Sequence, residues 1–506
     1  MGFDKEKFIV LMFSITIFII VFNLLFHEAM ALYYEFGYRS YRNAYVFDEV
    51  WYVSTSRNIL YKVFGLSDIK TNNTNYNYYT IVFNSKPNTA LVKDIILKHK
   101  ECYVFVEDNY TSSIPANVTI TMSNTSTVFT AYIGKGLNAV YVAVKNSPNC
   151  SIKSLIKDLN KTNNSIIDIV PGWALPDIRG INNYFNLEHP PLGKYLIIIS
   201  ILLLGDHPVA WRIPSLICTS LIFVLAYIIT REILIDFLKP KYATLISLIT
   251  LILMYFDNIY HRVGILAILD PSLAFFTILG VYFFIKCPYG KTTNQITRTI
   301  IFSLAGIIKF SGLFIVPADI IEGFLVKGNI LKKLRHGFGA ILRYYAVFPL
   351  ILILFSLPLI QYFGPITWYK VSIEGAIRWH TSTKLLTNTT YYSPLDWFLG
   401  RHAIILWTDI YTRTPVKAVG IPQVYLSSLV IGYILFPLIY NLPKFRRLIT
   451  SSNSIILMYI LLYIIGNKSL FSYYIIQFVA ILEIQLVVSV IFVLYRLVQV
   501  KMKKKA

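Results

Sequence analysis

The chain has 506 residues, of which 56% are hydrophobic and 14% are charged, and its formal net charge is +21. The apolar residues form long blocks, which is a membrane composition and excludes an ordinary soluble domain. In a soluble protein this charge would suggest nucleic-acid binding. Here much of it lies in short connections between apolar blocks, as the positive-inside rule requires. We therefore expect membrane lipids, and no nucleic acid, as partners.

Apolar blocks long enough to cross a bilayer recur along the chain. Crossing the hydrocarbon core takes roughly 20 mainly apolar residues. Blocks of this order begin near Phe8, Leu192, Ile213, Tyr242, Val263, Ile300, Tyr344, Val424, Ile455 and Ile475. The first is followed by His-Glu-Ala-Met at 27–30, a poor cleavage site, so we expect a retained helix. The sequence predicts an all-α polytopic membrane protein with about 10 to 12 transmembrane helices.

Basic connections predict the orientation of these helices. Segments 327–343 and 444–447 and the tail 501–505 are rich in Lys and Arg, so they should be cytoplasmic. Counting helices from a cytoplasmic N-terminus then places segments 27–190 and 364–420 outside.

The middle of the chain fits this count less well. Connections 231–241 and 286–298 each carry three Lys or Arg residues, yet simple counting places both outside. A short or re-entrant helix near 306–312 would reverse the count. The orientation of residues 205–320 therefore stays open.

A long polar stretch separates the first helix from the block at Leu192. It contains the strand-like runs YNYYTIVF, CYVFVE, NVTITM, VFTAYIG and NAVYVAVK. These predict a small β-containing extracellular insertion over 66–180. The other predicted domains are 1–65 (first helix and catalytic outer loop), 181–345 (core helices) and 346–506 (C-terminal helices with an outer loop at about 364–420).

The N-x-[ST] acceptor pattern recurs in the insertion. One match arises easily by chance, but seven in one segment, opposite the basic connections, favour an exterior face that carries glycans. The predicted sites are Asn72, Asn109, Asn117, Asn124, Asn149, Asn160 and Asn163, and, in the later loop, Asn388. Cys102 and Cys150 share this segment, and we expect a disulfide between them if it faces an oxidising compartment.

Two adjacent carboxylates follow the first helix. Asp48 and Glu49 lie among aromatic residues at the expected level of the outer interface, where partial desolvation suits a carboxylate to general-base work. Taken alone, they also fit solvated loop acids or charges at a helix start. They are possible ligands of a divalent metal, although no close third ligand is evident.

Cationic residues accompany the later blocks. His189 precedes two prolines, and Lys194 lies in the first turn of a predicted transmembrane helix, at the level of a lipid phosphate. The alternative for Lys194 is a lysine that snorkels to the interface.

Further ionisable residues lie within apolar surroundings, where such groups are functional candidates. They are Arg212, Arg262, Asp270 and Lys309. Arg262 and Asp270 are eight residues apart, which predicts similar sides of one helix. An ion pair that only holds helices together is the alternative to a catalytic role.

Five motifs occur in a characteristic order. They are FDE at 47–49, HPPLGK at 189–194, WRIPS at 211–215, HRVGILAILD at 261–270 and IIKFSGLF at 307–314. In this order they resemble the protein O-mannosyltransferases, which use dolichyl-phosphate mannose and belong to the GT-C class of membrane glycosyltransferases.

The resemblance implies an inverting transfer of mannose or a related hexose from a polyprenyl or dolichyl phosphate to an acceptor hydroxyl, on protein Ser/Thr or on a glycan. By this analogy Asp48 removes the acceptor proton, and Glu49 supports it or contacts the acceptor. Cations stabilise the leaving phosphate. Asp270 orients one of them or approaches the sugar hydroxyls. The candidate cations are His189, Lys194, Arg212, Arg262 and Lys309.

The chain also departs from the family. The loop at 364–420 is too short for the β-trefoil domain of eukaryotic members, which favours an archaeal-type protein. The late YHY-like element is only Ser-Tyr-Tyr-Ile at 472–475. A lipid-directed transferase of the aminoarabinose type and a polyprenyl-linked saccharide flippase or transporter remain alternatives. We expect a multi-pass protein of the plasma membrane with an extracellular active site.

Overall fold

Helices dominate the computed structural model, which describes residues 5–33, 45–66, 76–83, 88–105, 139–145, 147–161, 165–171, 184–287, 292–381, 392–409, 412 and 414–503. The helices are α1 (Lys5–Tyr33), α2 (Glu49–Asn58), α3 (Thr89–Leu97), α4 (Ile152–Leu159), α5 (Leu192–Leu204), α6 (Pro208–Leu234), α7 (Pro240–Tyr255), α8 (Asn258–Arg262), α9 (Asp270–Lys286), α10 (Thr292–Gly306), α11 (Val316–Phe324), α12 (Ile330–Phe363), α13 (Pro365–Tyr369), α14 (Gly375–Thr381), α15 (Pro394–Leu399), α16 (Pro422–Ile439), α17 (Pro443–Ile465) and α18 (Val479–Lys503). Two π-helical turns, Ile59–Val63 and Lys370–Glu374, and two 3₁₀ turns, Phe310–Ile315 and Ser472–Gln477, join them.

Six of the described helices are long and apolar enough to cross a membrane: α1, α6, α12, α16, α17 and α18. Helices α5 and α7 are shorter but also apolar. The predicted fold class, a polytopic all-α membrane protein with a β-containing insertion, is confirmed.

Ion pairs join helix termini at one end of the bundle. They are Glu6 with Arg231, Lys286 with Glu232, Lys444 with Asp236 and Arg446 with Glu322. These contacts bring together the start of α1, the ends of α6, α9 and α11, and the start of α17. We call this the basic end, because it also carries segments 327–343 and 444–447. The end that carries Asp48 is called the Asp48 end.

Ten segments run between the two ends in alternating directions within the described residues. They are α1, α6, α7, α9, α10, the 3₁₀ turn with α11, α12, α16, α17 and α18. Connection 231–241 and the described residues of connection 286–298 consequently lie at the basic end, as the positive-inside rule favours. The sequence had left their orientation open.

Helix α5 is where the predicted count differs from the structure. The block at Leu192 was predicted to cross the membrane, but α5 has only 13 residues. Both of its ends contact α2: the Ser56 hydroxyl donates to the Lys194 carbonyl at 3.2 Å, and Arg57 pairs with Asp206 just beyond α5. Because both ends lie at the Asp48 end, α5 does not cross. The short helix that changes the parity is therefore at 192–204, and not at 306–312.

Small residues let the helices approach closely. A Cβ atom on Gly280 of α9 would lie 2.2 Å from the Phe302 ring of α10. Likewise, a Cβ atom on Gly432 of α16 would lie 2.3 Å from the Gln485 amide of α18. Such close packing is the main source of helix association where lipid replaces water.

The insertion contains a four-stranded antiparallel sheet of order β2-β3-β1-β4. Its strands are β1 (Tyr76–Phe83), β2 (Tyr103–Phe105), β3 (Ala139–Lys145) and β4 (Ile166–Pro171). Helices α3 and α4 complete a separate apolar core that includes Ile81, Phe83, Ile96, Leu155 and Leu159. Three of the predicted runs form β1, β2 and β3, whereas NVTITM and VFTAYIG lie outside the described residues.

The covalent features of the insertion are partly described. Cys102 and Cys150 form a disulfide. Asn149 and Asn160 are exposed, as a glycan acceptor must be. The predicted acceptors Asn72, Asn109, Asn117, Asn124, Asn163 and Asn388 lie outside the described residues.

The segment after α12 stays at the Asp48 end. It contains α13, α14, α15 and a hairpin of β5 (Ile405–Thr408) and β6 (Pro415–Lys417). A capping box at Ser393 and Asp396 starts α15. The hairpin packs beside the 3₁₀ turn Ser472–Gln477, since the backbone N–H of Ile404 donates to the Ser472 hydroxyl at 3.1 Å.

Candidate active site

Glu49 lies in a fully buried ion pair. The guanidinium of Arg212 donates to both carboxylate oxygens of Glu49 at 2.7 Å, and neither side chain is exposed. The backbone N–H groups of Val46 and Ala267 also donate to this carboxylate, each at 2.8 Å. Glu49 therefore links the start of α2 to the start of α6 and to the segment before α9. These contacts fit a positioning role for Glu49 and Arg212 better than direct chemistry.

Asp48 differs from its neighbour because its carboxylate is only half-buried. The Tyr473 hydroxyl donates to its Oδ2 at 3.0 Å. Burial raises the pKa of Asp48 to about 6, while the Tyr473 hydrogen bond and the nearby Lys309 charge lower it in part. A carboxylate with such a pKa is ionised at neutral pH and still basic enough to accept a proton.

A buried lysine–carboxylate pair lies beside Asp48. Lys309 Nζ is 2.9 Å from each oxygen of Asp270, and its ammonium group lies 4.7 Å from the centre of the Tyr474 ring. Both charges act electrostatically on Asp48. Asp270 is the first residue of α9, and Lys309 lies directly before the 3₁₀ turn Phe310–Ile315. The chain reverses direction before each of these elements, and both residues therefore lie at the Asp48 end of the bundle.

His189 lies near Lys309 and Tyr52 and belongs to the same cluster of side chains as Asp48. Its ring centre lies 6.1 Å from that of Tyr52 and 6.2 Å from that of His380. The Nδ1 atom is shielded from solvent and has no hydrogen-bond partner among the described residues. Burial, followed by the charges of Lys309, His380 and Lys194, holds the pKa of His189 well below its usual value. The imidazole is therefore neutral and able to donate or accept one hydrogen bond.

The ammonium group of Lys194 is bound by backbone carbonyls and is not directed at this cluster. Its ammonium group donates to the backbone carbonyls of Asn186 at 2.6 Å, of His189 at 2.7 Å and of Phe185 at 3.5 Å. The side chain is fully buried. Lys194 thus holds the turn that presents His189, and its three donors are already engaged.

The structure separates Arg262 from Asp270. Arg262 ends α8 and donates to the Lys417 carbonyl at 2.9 Å, whereas Asp270 starts α9. The turns at 263–269 interrupt the helix that the sequence predicted to carry both residues. The expectation that they lie on one helix is therefore wrong, and the partner of Asp270 is Lys309.

Tyr473 is the residue that the sequence interpretation missed. It lies in the 3₁₀ turn Ser472–Gln477, 425 residues after its partner Asp48. The sequence contained one signal, the Tyr-Tyr pair in the weak YHY-like element. Aromatic residues make up 15% of this chain, so that pair alone did not stand out.

The described part of the chain contains no evident metal site. No group of three or more His, Cys, Asp or Glu side chains converges on a point that would hold a metal ion there.

Residues 181–373 match the family described as dolichyl-phosphate-mannose-protein mannosyltransferase. The predicted family resemblance is confirmed over this segment. The matched segment contains His189, Asp270 and Lys309, whereas Asp48 and Tyr473 lie outside it. No curated protein sequence matches the chain significantly.

Two solved structures of glycosyltransferases are similar to parts of the chain. ArnT from Cupriavidus metallidurans bound to undecaprenyl phosphate has 14% sequence identity and a TM-score of 0.39, over 60% of this chain and 50% of that chain. The archaeal oligosaccharyltransferase AglB from Archaeoglobus fulgidus, in complex with an inhibitory peptide and a dolichol-phosphate, has 12% identity and a TM-score of 0.35, over 63% of this chain and 44% of that chain. The chain thus spans about half the length of these structures or less.

Proposed function

We propose that the protein is an inverting glycosyltransferase that moves mannose or a related hexose from a polyprenyl or dolichyl phosphate to an acceptor hydroxyl on protein Ser/Thr or on a glycan. The observation that carries the proposal is the cluster of Asp48, Tyr473, Lys309 and Asp270 at one end of a multi-pass bundle. The family match over 181–373 supports the donor class.

In the proposed reaction Asp48 is the general base. The acceptor oxygen attacks the anomeric carbon of the sugar from the side opposite the phosphate, and its proton passes to the Asp48 carboxylate. The bond from the anomeric carbon to the phosphate oxygen breaks, and its electron pair leaves with the phosphate. A single displacement of this kind inverts the anomeric configuration.

The leaving phosphate gains negative charge in this step, and a fixed cation stabilises it. We assign that role to Lys309, with a hydrogen bond from neutral His189. Asp270 holds Lys309 in place through both carboxylate oxygens. Lys194 and Arg212 act in this scheme through structure, since their donors are engaged by backbone carbonyls and by Glu49.

The topology supports an outward-facing reaction. The Asp48 end is opposite the basic end, and Lys/Arg-rich connections are normally cytoplasmic. The disulfide Cys102–Cys150 fits an oxidising compartment. We therefore propose a plasma-membrane protein with its active site on the extracellular side.

The test uses the full chain in detergent with a labelled polyprenyl-phosphate hexose and a Ser/Thr-rich peptide. Replacing Asp48 with Asn should lower turnover about 10²- to 10⁴-fold, the range typical of general bases, while donor binding is retained. Replacing Lys309 with Gln should lower turnover about 100-fold or more, because a fixed charge near the leaving group is lost.

Either substitution can also disturb folding, so thermal unfolding accompanies each assay. Lys309→Gln leaves Asp270 without its partner, and the double variant Lys309→Gln/Asp270→Asn serves as its control. Transfer to a lipid and not to peptide or glycan would redirect the acceptor assignment. Donor binding without transfer to any acceptor would instead favour a flippase.

A further inference from the structure

Helix α12 is much longer than a membrane crossing requires. Its 34 residues extend for about 51 Å at 1.5 Å per residue, against a hydrocarbon thickness of about 30 Å. The last 20 residues, 344–363, contain no charged side chain, and they end at Phe363 beside Phe185 at the Asp48 end. The first 14 residues, 330–343, therefore project beyond the hydrocarbon at the basic end.

This projecting segment is basic and has no acidic residue. It carries Lys332, Lys333, Arg335, His336 and Arg343. At 100° per residue, all of these except Lys333 lie within about 100° of one another around the helix. His336 is within electrostatic range of Lys332, Arg335 and Arg343. The positive charges of Lys332, Arg335 and Arg343 are thus concentrated on this face and are not offset by an acidic residue of the same segment.

Arg343 supplies a second, independent observation. Its Nε and Nη2 atoms are shielded from solvent and have no hydrogen-bond partner among the described residues. A Cβ atom on Gly339 would lie 3.4 Å from Nη1, so the guanidinium folds back over this glycine toward the start of the helix. Shielded guanidinium donors with no acceptor are costly unless an anion reaches them.

Apolar residues flank the basic face. Leu331, Phe338 and Leu342 are 72%, 56% and 67% exposed. The other side of the segment packs on α11, where Gly337 contacts the Phe324 ring. Leu342 lies next to the apolar part of α12, so the acyl chains of a lipid whose phosphate reaches the arginines would cover it, whereas a free phosphate would leave it in water.

We propose that residues 330–343 form a binding site for an anionic membrane lipid in the leaflet at the basic end, with the lipid phosphate held between Arg343 and Arg335 across Gly339. The site is distinct from the cluster around Asp48. Its occupant is a phosphate-bearing lipid headgroup, recognised through charge and through the flanking apolar surface.

The experiment measures binding of short-chain phosphatidylglycerol and phosphatidylcholine to the delipidated full chain in neutral detergent. Wild type should prefer phosphatidylglycerol clearly. Arg343→Gln and Arg335→Gln should each weaken that binding about fivefold, the factor expected for one basic residue near an anionic surface. Transfer activity and thermal unfolding should stay close to wild type in both variants.

Lys444→Gln is the matched control, because Lys444 lies at the same end but is 2.7 Å from Asp236. It should leave lipid binding unchanged. An equal loss in Lys444→Gln would show a diffuse field instead of a site and would overturn the proposal, as would equal binding of the two lipids by wild type. Displacement of phosphatidylglycerol by millimolar inorganic phosphate would identify a soluble-anion site and overturn the assignment to lipid.

Discussion

The two ends of the bundle use buried charge differently. At the Asp48 end, fully paired groups such as Glu49 and Arg212 surround a carboxylate that is only half-buried. At the basic end, Glu322 neutralises Arg446, while the projecting start of α12 carries arginines with no acid nearby in the sequence. The buried pairs Glu49–Arg212 and Glu322–Arg446 therefore act as scaffold, one at each end.

The largest expected effect comes from breaking the scaffold at the Asp48 end. Replacing Arg212 with Ala leaves Glu49 buried without its partner, so we expect a loss of about 3–5 kcal/mol of stability. The double variant Glu49→Gln/Arg212→Met, which removes both charges, should recover most of that loss. Thermal unfolding in detergent measures both. Equal destabilisation by the single and double variants would contradict a scaffold role for the pair.

At the basic end, replacing the buried acid Glu322 should lower stability without lowering activity. Glu322 accepts from Arg446 at 2.7 Å and from Arg447 at 3.4 Å. Replacing it with Gln leaves two arginines without their anion, at a cost of about 3 kcal/mol. Transfer by the folded fraction should nevertheless remain close to wild type. A specific loss of turnover in the remaining folded protein would show that the two ends are coupled.

The smallest expected effect is a shift in pH dependence from Tyr473→Phe. The Tyr473 hydroxyl stabilises ionised Asp48 and so lowers its pKa. Removing it raises that pKa, and a base works only above its pKa, so activity is lost at a higher pH as the solution is acidified. We expect the acidic limb, near pH 6 in wild type, to move up by about half to one unit.

Rates at pH 8 should change little in Tyr473→Phe. Tyr459→Phe is the control, since the Tyr459 hydroxyl donates to Gln477. An unshifted acidic limb in Tyr473→Phe would show that this hydrogen bond does not tune the base.

The sequence was sufficient for the fold class, and it named several residues of the proposed site. Long apolar blocks follow directly from bilayer thickness, and Asp48, Asp270 and Lys309 are residues whose charge is conspicuous in such surroundings. The partners of buried charges were harder to predict. Glu49 and Arg212 are 163 residues apart, and only the fold, in which α2 packs on α5 and α5 packs on α6, brings them together.

Helix α5 shows the limit of hydropathy. Residues 192–204 are as apolar as a crossing helix, and the next apolar helix begins only a few residues later. Gly205, with a positive φ of 93°, and buried Asp206 end the helix early. A mean hydropathy taken over a window of residues does not register such a turn. The ion pair between Asp206 and Arg57 holds the end of α5 at the Asp48 end.

The early end of α5 also has a consequence for how the chain enters the membrane during synthesis. A 13-residue apolar segment is too short to halt passage through a translocation channel. In the proposed topology, the residues between α1 and α6 are therefore exported in one event, and the insertion with its disulfide Cys102–Cys150 is part of them. In this topology we expect that lengthening α5 by one or two turns lets it cross the membrane and so places the residues that follow it on the opposite side.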